Sequence, residues 1–274
     1  MSPGAAGPVR REERKGVPKT GPWPAIRRIV LILGLLFVLP LASHAAWWYE
    51  RGWPQSWAAA DWSSARLLPA AEEELEAVVH VLAARVGRWR GIFAHHSWVV
   101  VKPAGAPRYT RYDVVGWGNP LRTNHREADA RWFGNEPSVL LTLRGPAAEA
   151  AIGRIEAAVA RYPYALRDSY AAWPGPNSNT FVAHLAVYAP ELAPALLPTA
   201  IGKDFRAEGA LAGKFFAGLA PSRSGLQVSL LGAIGVTVAW VEGIEVNLLG
   251  LVAGIDMRRP ALKLPGWGRI GLAP

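Results

Sequence analysis

The stretch "HSWVVVKPAGAPRYTRYDVV", residues 96–115, predicts a β-hairpin. Its two halves are rich in β-branched and aromatic side chains, and the turn residues 105–107 separate them. Because side chains alternate between the two faces of a strand, His96 lies on one face of the first strand, and Tyr109 and Asp113 share one face of the second. The hairpin therefore brings a histidine close to two polar groups that can orient it.

Further elements flank this hairpin on both sides. The segments 138–145 and 146–162 predict a third strand and a helix, and the apolar run after residue 177 predicts a second helix. Before the hairpin, "PAAEEELEAVVHVLAARVGRWR" has acidic residues at its start, basic residues at its end and apolar residues at helical spacing. We therefore expect an amphipathic helix from about Pro69 to Arg88.

The last third of the chain contains an internal repeat. "LQVSLLG" from Leu226 and "IEVNLLG" from Ile244 match in pattern and are offset by eighteen residues. Two similar apolar segments that end in glycine-containing bends predict an antiparallel sheet, with "RPALKLPGWGRIGL" as a further strand. A second membrane span over Leu226–Trp240 is the competing interpretation, but the polar residues and glycines in this segment argue against it.

Residues 29–48 contain no formally charged side chain and follow directly after Arg27 and Arg28. A membrane-spanning helix needs about 20 mostly apolar residues, so this segment predicts a signal anchor. A cleaved signal peptide is the alternative, because Ser43 and Ala45 resemble a cleavage site. The basic flank stays on the cytoplasmic side, and we therefore expect a single-pass inner-membrane protein whose C-terminal domain is periplasmic.

Together these elements predict an α+β protein in four parts. The expected parts are a disordered basic cytoplasmic tail (1–28), a signal-anchor transmembrane helix (29–48), a Trp-rich membrane-proximal segment with the amphipathic helix (49–90) and an extracytoplasmic α+β domain (91–274).

Composition excludes several classes of protein. The formal net charge is +9, but seven basic residues lie before residue 29 and no nucleic-acid motif accompanies them, so we expect no nucleic-acid partner. The chain has no cysteine, and its six histidines show no metal-ligand spacing, so no disulfide, metal or cofactor is expected.

Five tryptophans between Trp47 and Trp62 predict an interfacial belt, with a platform for stacking sugars as the alternative. The sequence leaves the oligomeric state open.

Several of these segments, together with "RWFGNEP", "WPGPNSNTFVAH" and "PTAIGKDF", resemble an uncharacterised bacterial family, domain of unknown function 3750, over roughly residues 90–270. A more distant resemblance is to permuted papain-like proteins, which include the NlpC peptidases and lecithin:retinol acyltransferase. In that group a strand carries the base histidine, and the nucleophile follows later in an Asn-Cys-x-x-Phe pattern at the start of a helix. The resemblance implies a papain-like unit of helix plus antiparallel sheet, with a C-terminal β extension.

The papain-like resemblance also implies a set of site residues. "HSWVVV" would supply the base His96, and "NSNTFV" matches Asn177 and Ser178 to the nucleophile pattern, with Ser where the group has Cys. Ser178 would be the nucleophile, and Asn177 with local backbone N–H groups would stabilise the oxyanion. Asp113 or Tyr109 would orient His96. The alternative is that Asn177 and Ser178 only cap the helix.

These features predict an envelope-associated hydrolase or acyl/peptidyl transferase of the permuted papain-like type. Amide bonds of peptidoglycan and acyl esters of lipids are the expected substrates. The alternative is a non-catalytic module, anchored in the membrane, that binds an envelope ligand or partner through the same cleft, because a fold alone does not determine a function.

Overall fold

The computed structural model describes residues 23–209 and 211–271. These residues form an N-terminal helix, a five-stranded antiparallel sheet with two helices, and a seven-stranded antiparallel sheet. The α+β class and the C-terminal β extension are therefore confirmed. Most of the predicted cytoplasmic tail, residues 1–22, lies outside the described residues. Its last six residues are helical rather than disordered, because the helix begins at Trp23.

The N-terminal helix runs from Trp23 to Arg51 and is long and apolar enough, by length and composition, to cross a membrane. It consists of α1 (Trp23–Leu33), a π-helical turn (Gly34–Val38) and α2 (Leu39–Arg51). Its apolar side chains are mostly exposed in α1, whereas the end of α2 packs on the rest of the protein.

The five-stranded sheet has the order β4-β3-β2-β1-β5. Its strands are β1 (Val78–Arg85), β2 (His95–Lys102), β3 (Thr110–Val114), β4 (Leu121–Thr123) and β5 (Ser138–Arg144). Strands β2 and β3 pair antiparallel, with Val99 opposite Tyr112 and Val101 opposite Thr110, so the predicted hairpin is confirmed. The short strand β4 lies in the polar segment that follows the hairpin.

The amphipathic helix expected from Pro69 to Arg88 is wrong. This segment instead contains β1, which lies between β2 and β5 and is buried along almost its whole length. A central strand that is covered on both faces carries apolar side chains at nearly every position, and such a run also fits a helical period. The β-branched residues Val78, Val79 and Val81 are typical of the strand that forms.

The two predicted helices cover one face of this sheet. Helix α3 (Gly145–Ala160) has a proline in its first turn, and α4 (Ser178–Tyr188) follows a bend that is rich in proline and glycine. Ile155 of α3 and Phe181 of α4 are fully buried and belong to the same apolar core as the strand residue Val99. Short 3₁₀ helices at Arg88–Ile92 and Pro190–Ala195 complete this part of the fold.

Tryptophans cover the opposite face of the five-stranded sheet. Trp62 packs against Trp132 with ring centroids 5.4 Å apart, and both belong to a second apolar core that also contains Trp98. Trp48, at the end of α2, is 4% exposed, and its indole N–H donates a hydrogen bond to the Arg88 carbonyl. Trp48 is therefore buried within the protein instead of exposed at an interface, and the belt formed by the other tryptophans stays a prediction.

The seven-stranded sheet is a meander in which each strand pairs with its sequence neighbours. Its strands are β6 (Phe215–Leu219), β7 (Gly225–Leu230), β8 (Ile234–Ala239), β9 (Gly243–Leu248), β10 (Leu251–Asp256), β11 (Ala261–Leu264) and β12 (Gly268–Gly271). The internal repeat is thus two successive hairpins, and Leu231 and Leu249 occupy matching turn positions with φ of 56°. Residues 226–240 form two strands instead of a second membrane span.

Candidate functional site

The start of α4 is held by Asn177, which is the cap of the helix. Its Oδ1 accepts hydrogen bonds from the backbone N–H groups of Asn179 (2.9 Å) and Thr180 (3.2 Å). Its Nδ2 donates to the carbonyls of Ala172 and Ile201, each at 3.1 Å. Both amide hydrogens are therefore used, and the predicted role of the Asn177 side chain as an oxyanion donor is wrong.

Gly202 allows the chain to close over this cap. Its φ is +94°, and a Cβ at this position would lie 2.4 Å from the Asn177 side-chain nitrogen. The Gly202 carbonyl also accepts a hydrogen bond from the Thr180 hydroxyl at 2.8 Å. The residue after the cap, Ser178, is the first helical residue, so its hydroxyl is not needed to begin the helix.

Asn179 fixes the start of α4 to the start of β2. The Ser97 hydroxyl donates to Asn179 Oδ1 at 2.8 Å, and Asn179 Nδ2 donates to the His95 carbonyl at 2.9 Å. Ser97 is buried beneath the helix, so the first turn of α4 cannot move independently of the strand that carries the two histidines. Ser178 is therefore positioned at the end of β2.

His96 lies on the face of β2 opposite to Ser97, where it meets Asp113. Its Nε2 is 2.8 Å from Asp113 Oδ1, and its ring stacks on Trp132 with a centroid distance of 3.5 Å. Nε2 is thus the ring nitrogen that faces Asp113, and Nδ1 is the nitrogen that does not. The contact between His96 and Asp113 that strand alternation predicted is therefore present.

The Asp113 carboxylate is itself held by Arg111. Arg111 Nη2 donates to Asp113 Oδ2 at 2.6 Å and Nε donates at 3.2 Å, and both side chains are fully buried. Burial raises the pKa of Asp113, but the neighbouring His96 and Arg111 outweigh burial and hold this pKa well below its usual range. Asp113 is therefore ionised at neutral pH and can stabilise a positive charge on His96.

Tyr109, the other group proposed to orient His96, lies elsewhere. Its ring packs near His80 at a centroid distance of 6.3 Å, and its hydroxyl is buried with no hydrogen-bond partner among the described residues. Of the two residues that the sequence offered, Asp113 is the one that contacts His96.

His95 has a different environment from that of its neighbour. Its Nδ1 is 2.8 Å from the Thr199 hydroxyl, and its backbone N–H donates to the Thr199 carbonyl at 3.1 Å. Burial, together with the nearby charge of Arg85, lowers the pKa of His95 well below its usual value. His95 is therefore neutral near pH 7 and has a hydroxyl, not a carboxylate, as its partner.

A cavity of about 480 Å³ joins these groups. His95, His96 and Ser178 border it, and most of the remaining lining is apolar. Leu41 of the N-terminal helix and Leu249 and Leu251 of the seven-stranded sheet contribute to its wall, so all three parts of the fold meet here. The sequence could not indicate this cavity, because its walls come from segments that are far apart in the chain.

The register of the hairpin explains why the cavity reaches His96. Strand β3 pairs with β2 only at Val99–Val101, so the first residues of β2 have no strand beside them on that edge. No hydrogen bond joins the Ser178 hydroxyl to either histidine ring within residues 23–209 and 211–271. His96 and Ser178 both border the cavity, although His96 lies on the face of β2 directed away from α4, whereas His95 shares the face of Ser97 that packs on α4.

In the described part of the chain, no group of three or more acidic or histidine side chains is placed to hold a metal ion. The candidate site is thus a cavity with one serine at a helix N-terminus, a histidine with an ionised partner, and apolar walls.

The fold and this site define an α+β protein with an apolar N-terminal helix. Residues 76–205 match the model of a family described as Protein of unknown function (DUF3750). The resemblance to this family is therefore confirmed, and the match includes His96, Asp113 and Ser178. No curated protein and no solved structure matches the chain. The papain-like resemblance stays a prediction.

Proposed function

We propose that this protein is a membrane-anchored acyl hydrolase or acyltransferase in which Ser178 is the nucleophile and His96 the base. The observation that carries the proposal is the contact between His96 and ionised Asp113 at the border of an apolar cavity that Ser178 also lines. His95 is the alternative base, because it shares the face of β2 that packs on α4. His96 is favoured because the pKa of His95 is lowered and its ring partner is the Thr199 hydroxyl rather than a carboxylate.

In the proposed reaction the Ser178 hydroxyl oxygen attacks the carbonyl carbon of an acyl ester or amide. The hydroxyl proton moves to His96 Nδ1, and Asp113 stabilises the imidazolium that forms. His96 then gives this proton to the leaving alcohol or amine as the bond to the carbonyl carbon breaks. Water, or the hydroxyl or amine of an acceptor, cleaves the resulting acyl-serine by the reverse of these proton transfers and restores Ser178.

Backbone N–H groups supply the proposed oxyanion stabilisation. The cap uses the N–H groups of Asn179 and Thr180, so the amide of Ser178 is the donor at this helix end that the cap leaves available. Its direction along the axis of α4 adds the positive end of the helix dipole.

The apolar lining favours an acyl chain over a peptide as the bound group. Trp89, Phe93 and Ile201 line the cavity beside Leu41, and the side of the cavity at Leu41 is formed by the N-terminal helix. We propose that this helix crosses the inner membrane with Arg27 and Arg28 on the cytoplasmic side and that the remaining domains are periplasmic. Lipid acyl esters or amides of the envelope are therefore the favoured substrates.

A serine-directed probe tests the nucleophile. The full chain in detergent micelles is treated with a fluorescent fluorophosphonate, and the wild type should be labelled whereas Ser178→Ala should not. His96→Gln should lose at least tenfold in labelling rate, whereas the matched control His95→Gln should keep most of it. Equal labelling of Ser178→Ala and the wild type, or greater loss in His95→Gln, contradicts the assignment.

A second measurement separates catalysis from simple binding. A fluorescent fatty acid should bind to the wild type and to Ser178→Ala equally, because the walls of the cavity are unchanged. If the fatty acid binds but the probe labels no serine, the protein is the non-catalytic ligand-binding module instead.

A further inference from the structure

The seven-stranded sheet has a surface, here called the apolar face, on which the outward side chains of its strands are apolar. Across β7 and β8, Leu226 lies opposite Val238 and Val228 lies opposite Val236. These four side chains are between 47% and 64% exposed. The register continues the pattern through Leu262 of β11 to Ile270 of β12, so the apolar face extends across the sheet.

The opposite face of the same sheet is polar and buried. Gln227, Glu245 and Lys263 alternate with the outward apolar residues of their strands, and each is at most 5% exposed. An antiparallel sheet in a water-soluble protein buries its apolar face and exposes its polar face. This sheet does the reverse, which is the pattern of strands that face lipid.

The N-terminal helix lies against this sheet. Strand β10 packs on the π-helical turn Gly34–Val38. Ala253 of β10 pairs with Val246 and so belongs to the apolar face, yet it is only 4% exposed, and Phe37 of the turn is 8% exposed. The helix and the apolar face are therefore adjacent surfaces.

The sheet also contacts the N-terminal helix at a second position, nearer the C-terminal end of the helix. The indole N–H of Trp267, in the turn between β11 and β12, donates to the Ser43 hydroxyl at 2.9 Å. The Trp267 ring lies 5.6 Å from that of Trp47. The seven-stranded sheet therefore contacts the N-terminal helix in two separate regions.

The position of the turn along the helix sets the depth of the sheet. Gly34–Val38 lies in the middle of the uncharged segment that separates Arg28 from Glu50. At about 1.5 Å per residue, the start of the turn is roughly 10 Å along the helix from Arg28. If the helix crosses a bilayer, β10 beside the turn lies at the level of the lipid tails.

We infer that the apolar face of β6–β12 is inserted into the same lipid bilayer that the N-terminal helix crosses. The inference rests on the membrane crossing in the proposed function, but not on the catalytic role of Ser178. Large exposed apolar patches mark interaction surfaces, and here the depth of β10 identifies lipid as the partner. The buried polar face, held by the ion pairs of Glu245, remains directed into the protein.

The chain contains no cysteine, so single-cysteine variants carry one label at a chosen position. Val228→Cys and Val236→Cys place an environment-sensitive bimane on the apolar face. Val38→Cys, on an exposed position of the N-terminal helix, reports on the membrane crossing, and Ala157→Cys, exposed on α3, is the control. The full chain is reconstituted into vesicles of phosphatidylcholine and phosphatidylglycerol, with spin-labelled lipid or aqueous iodide as quencher.

Labels at positions 228 and 236 should be quenched by spin-labelled lipid at least threefold more than the label at 157, and should resist iodide. Quenching of these labels by iodide to the extent seen at 157 overturns the inference, even if the label at 38 is in lipid. Protection from both quenchers, with crosslinking between copies, also overturns it and assigns the face to a second copy of the chain. If the label at 38 is also accessible to iodide, the membrane crossing itself is wrong.

Discussion

The two sheets of this protein differ in the kind of side chain that they bury. The five-stranded sheet buries apolar side chains on both faces, such as Val81 on one face of β1 and Leu82 on the other. The seven-stranded sheet buries Glu245 between Lys203 and Lys263, and exposes valines and leucines. The first sheet is stabilised mainly by removing apolar area from water, whereas the second depends on the completeness of a buried ionic network.

The largest expected effect comes from breaking that network. Glu245→Ala leaves Lys203 and Lys263 without their shared carboxylate in a buried site, and should lower the free energy of unfolding by about 3–5 kcal/mol. Tryptophan fluorescence during denaturation of the detergent-solubilised chain measures the change. Glu149→Ala, an exposed position on α3, is the control and should change stability by less than about 0.5 kcal/mol. A loss below about 1 kcal/mol in Glu245→Ala would show that the network is dispensable.

A matched pair of leucines tests the contrast in apolar burial. Leu185 in α4 is fully buried, and Leu185→Ala should cost about 2–5 kcal/mol of unfolding free energy, because it leaves a cavity. Leu226 on the apolar face is 64% exposed, and Leu226→Ala should cost less than about 1 kcal/mol in the same denaturation experiment. Similar losses for the two variants would contradict the proposed difference between the sheets.

The close packing of Gly202 on the Asn177 cap should not tolerate an added methyl group. Gly202→Ala forces a Cβ against the Asn177 side chain at a positive φ, and should cost about 1–3 kcal/mol in unfolding free energy. It should also slow serine labelling, because Ser178 follows the cap directly. Gly153→Ala, where nothing lies within 4 Å of an added Cβ in α3, is the control and should be neutral or stabilising. Unchanged stability and labelling in Gly202→Ala would argue against tight closure.

The smallest expected effect is a difference in acid sensitivity. Because the pKa of Asp113 is held below its unfolded value of about 3.9, the stability that this group contributes is present above about pH 4 and is lost as pH falls through its folded pKa. Asp113→Asn removes this term, so its stability should fall less steeply than that of the wild type below about pH 4. Thermal unfolding at several pH values measures the slope. Asp168→Asn, at an exposed position, should follow the wild type, and a parallel fall for Asp113→Asn would refute the assignment.

Sequence predicted the parts of the fold that have a local signature. The β2–β3 hairpin was recognisable because β-branched and aromatic residues flank a turn, and α3 because its apolar residues recur at helical spacing. Strand β1 was missed because its apolar run, which is buried on both faces, also fits a helical period and has no turn beside it. The seven-stranded sheet was recognised from its internal repeat. Its strands alternate apolar and polar side chains, but the apolar side chains are exposed and the polar ones are buried.

The same distinction applies to the candidate site. The pairing of His96 with Asp113 depends on local register, and strand alternation was sufficient to suggest it. The stacking of Trp132 on His96 and the contact of Thr199 with His95 depend on long-range packing. A single sequence contains no local pattern that reports such contacts.

If the protein has the proposed function, the position of Leu41 of the N-terminal helix in the wall of the cavity has a consequence for kinetics. An acyl substrate that arrives by lateral diffusion along this helix would reach Ser178 without passing through water. The rate would then follow the mole fraction of substrate in the bilayer, and diluting the substrate with inert lipid would slow turnover even at a constant bulk concentration.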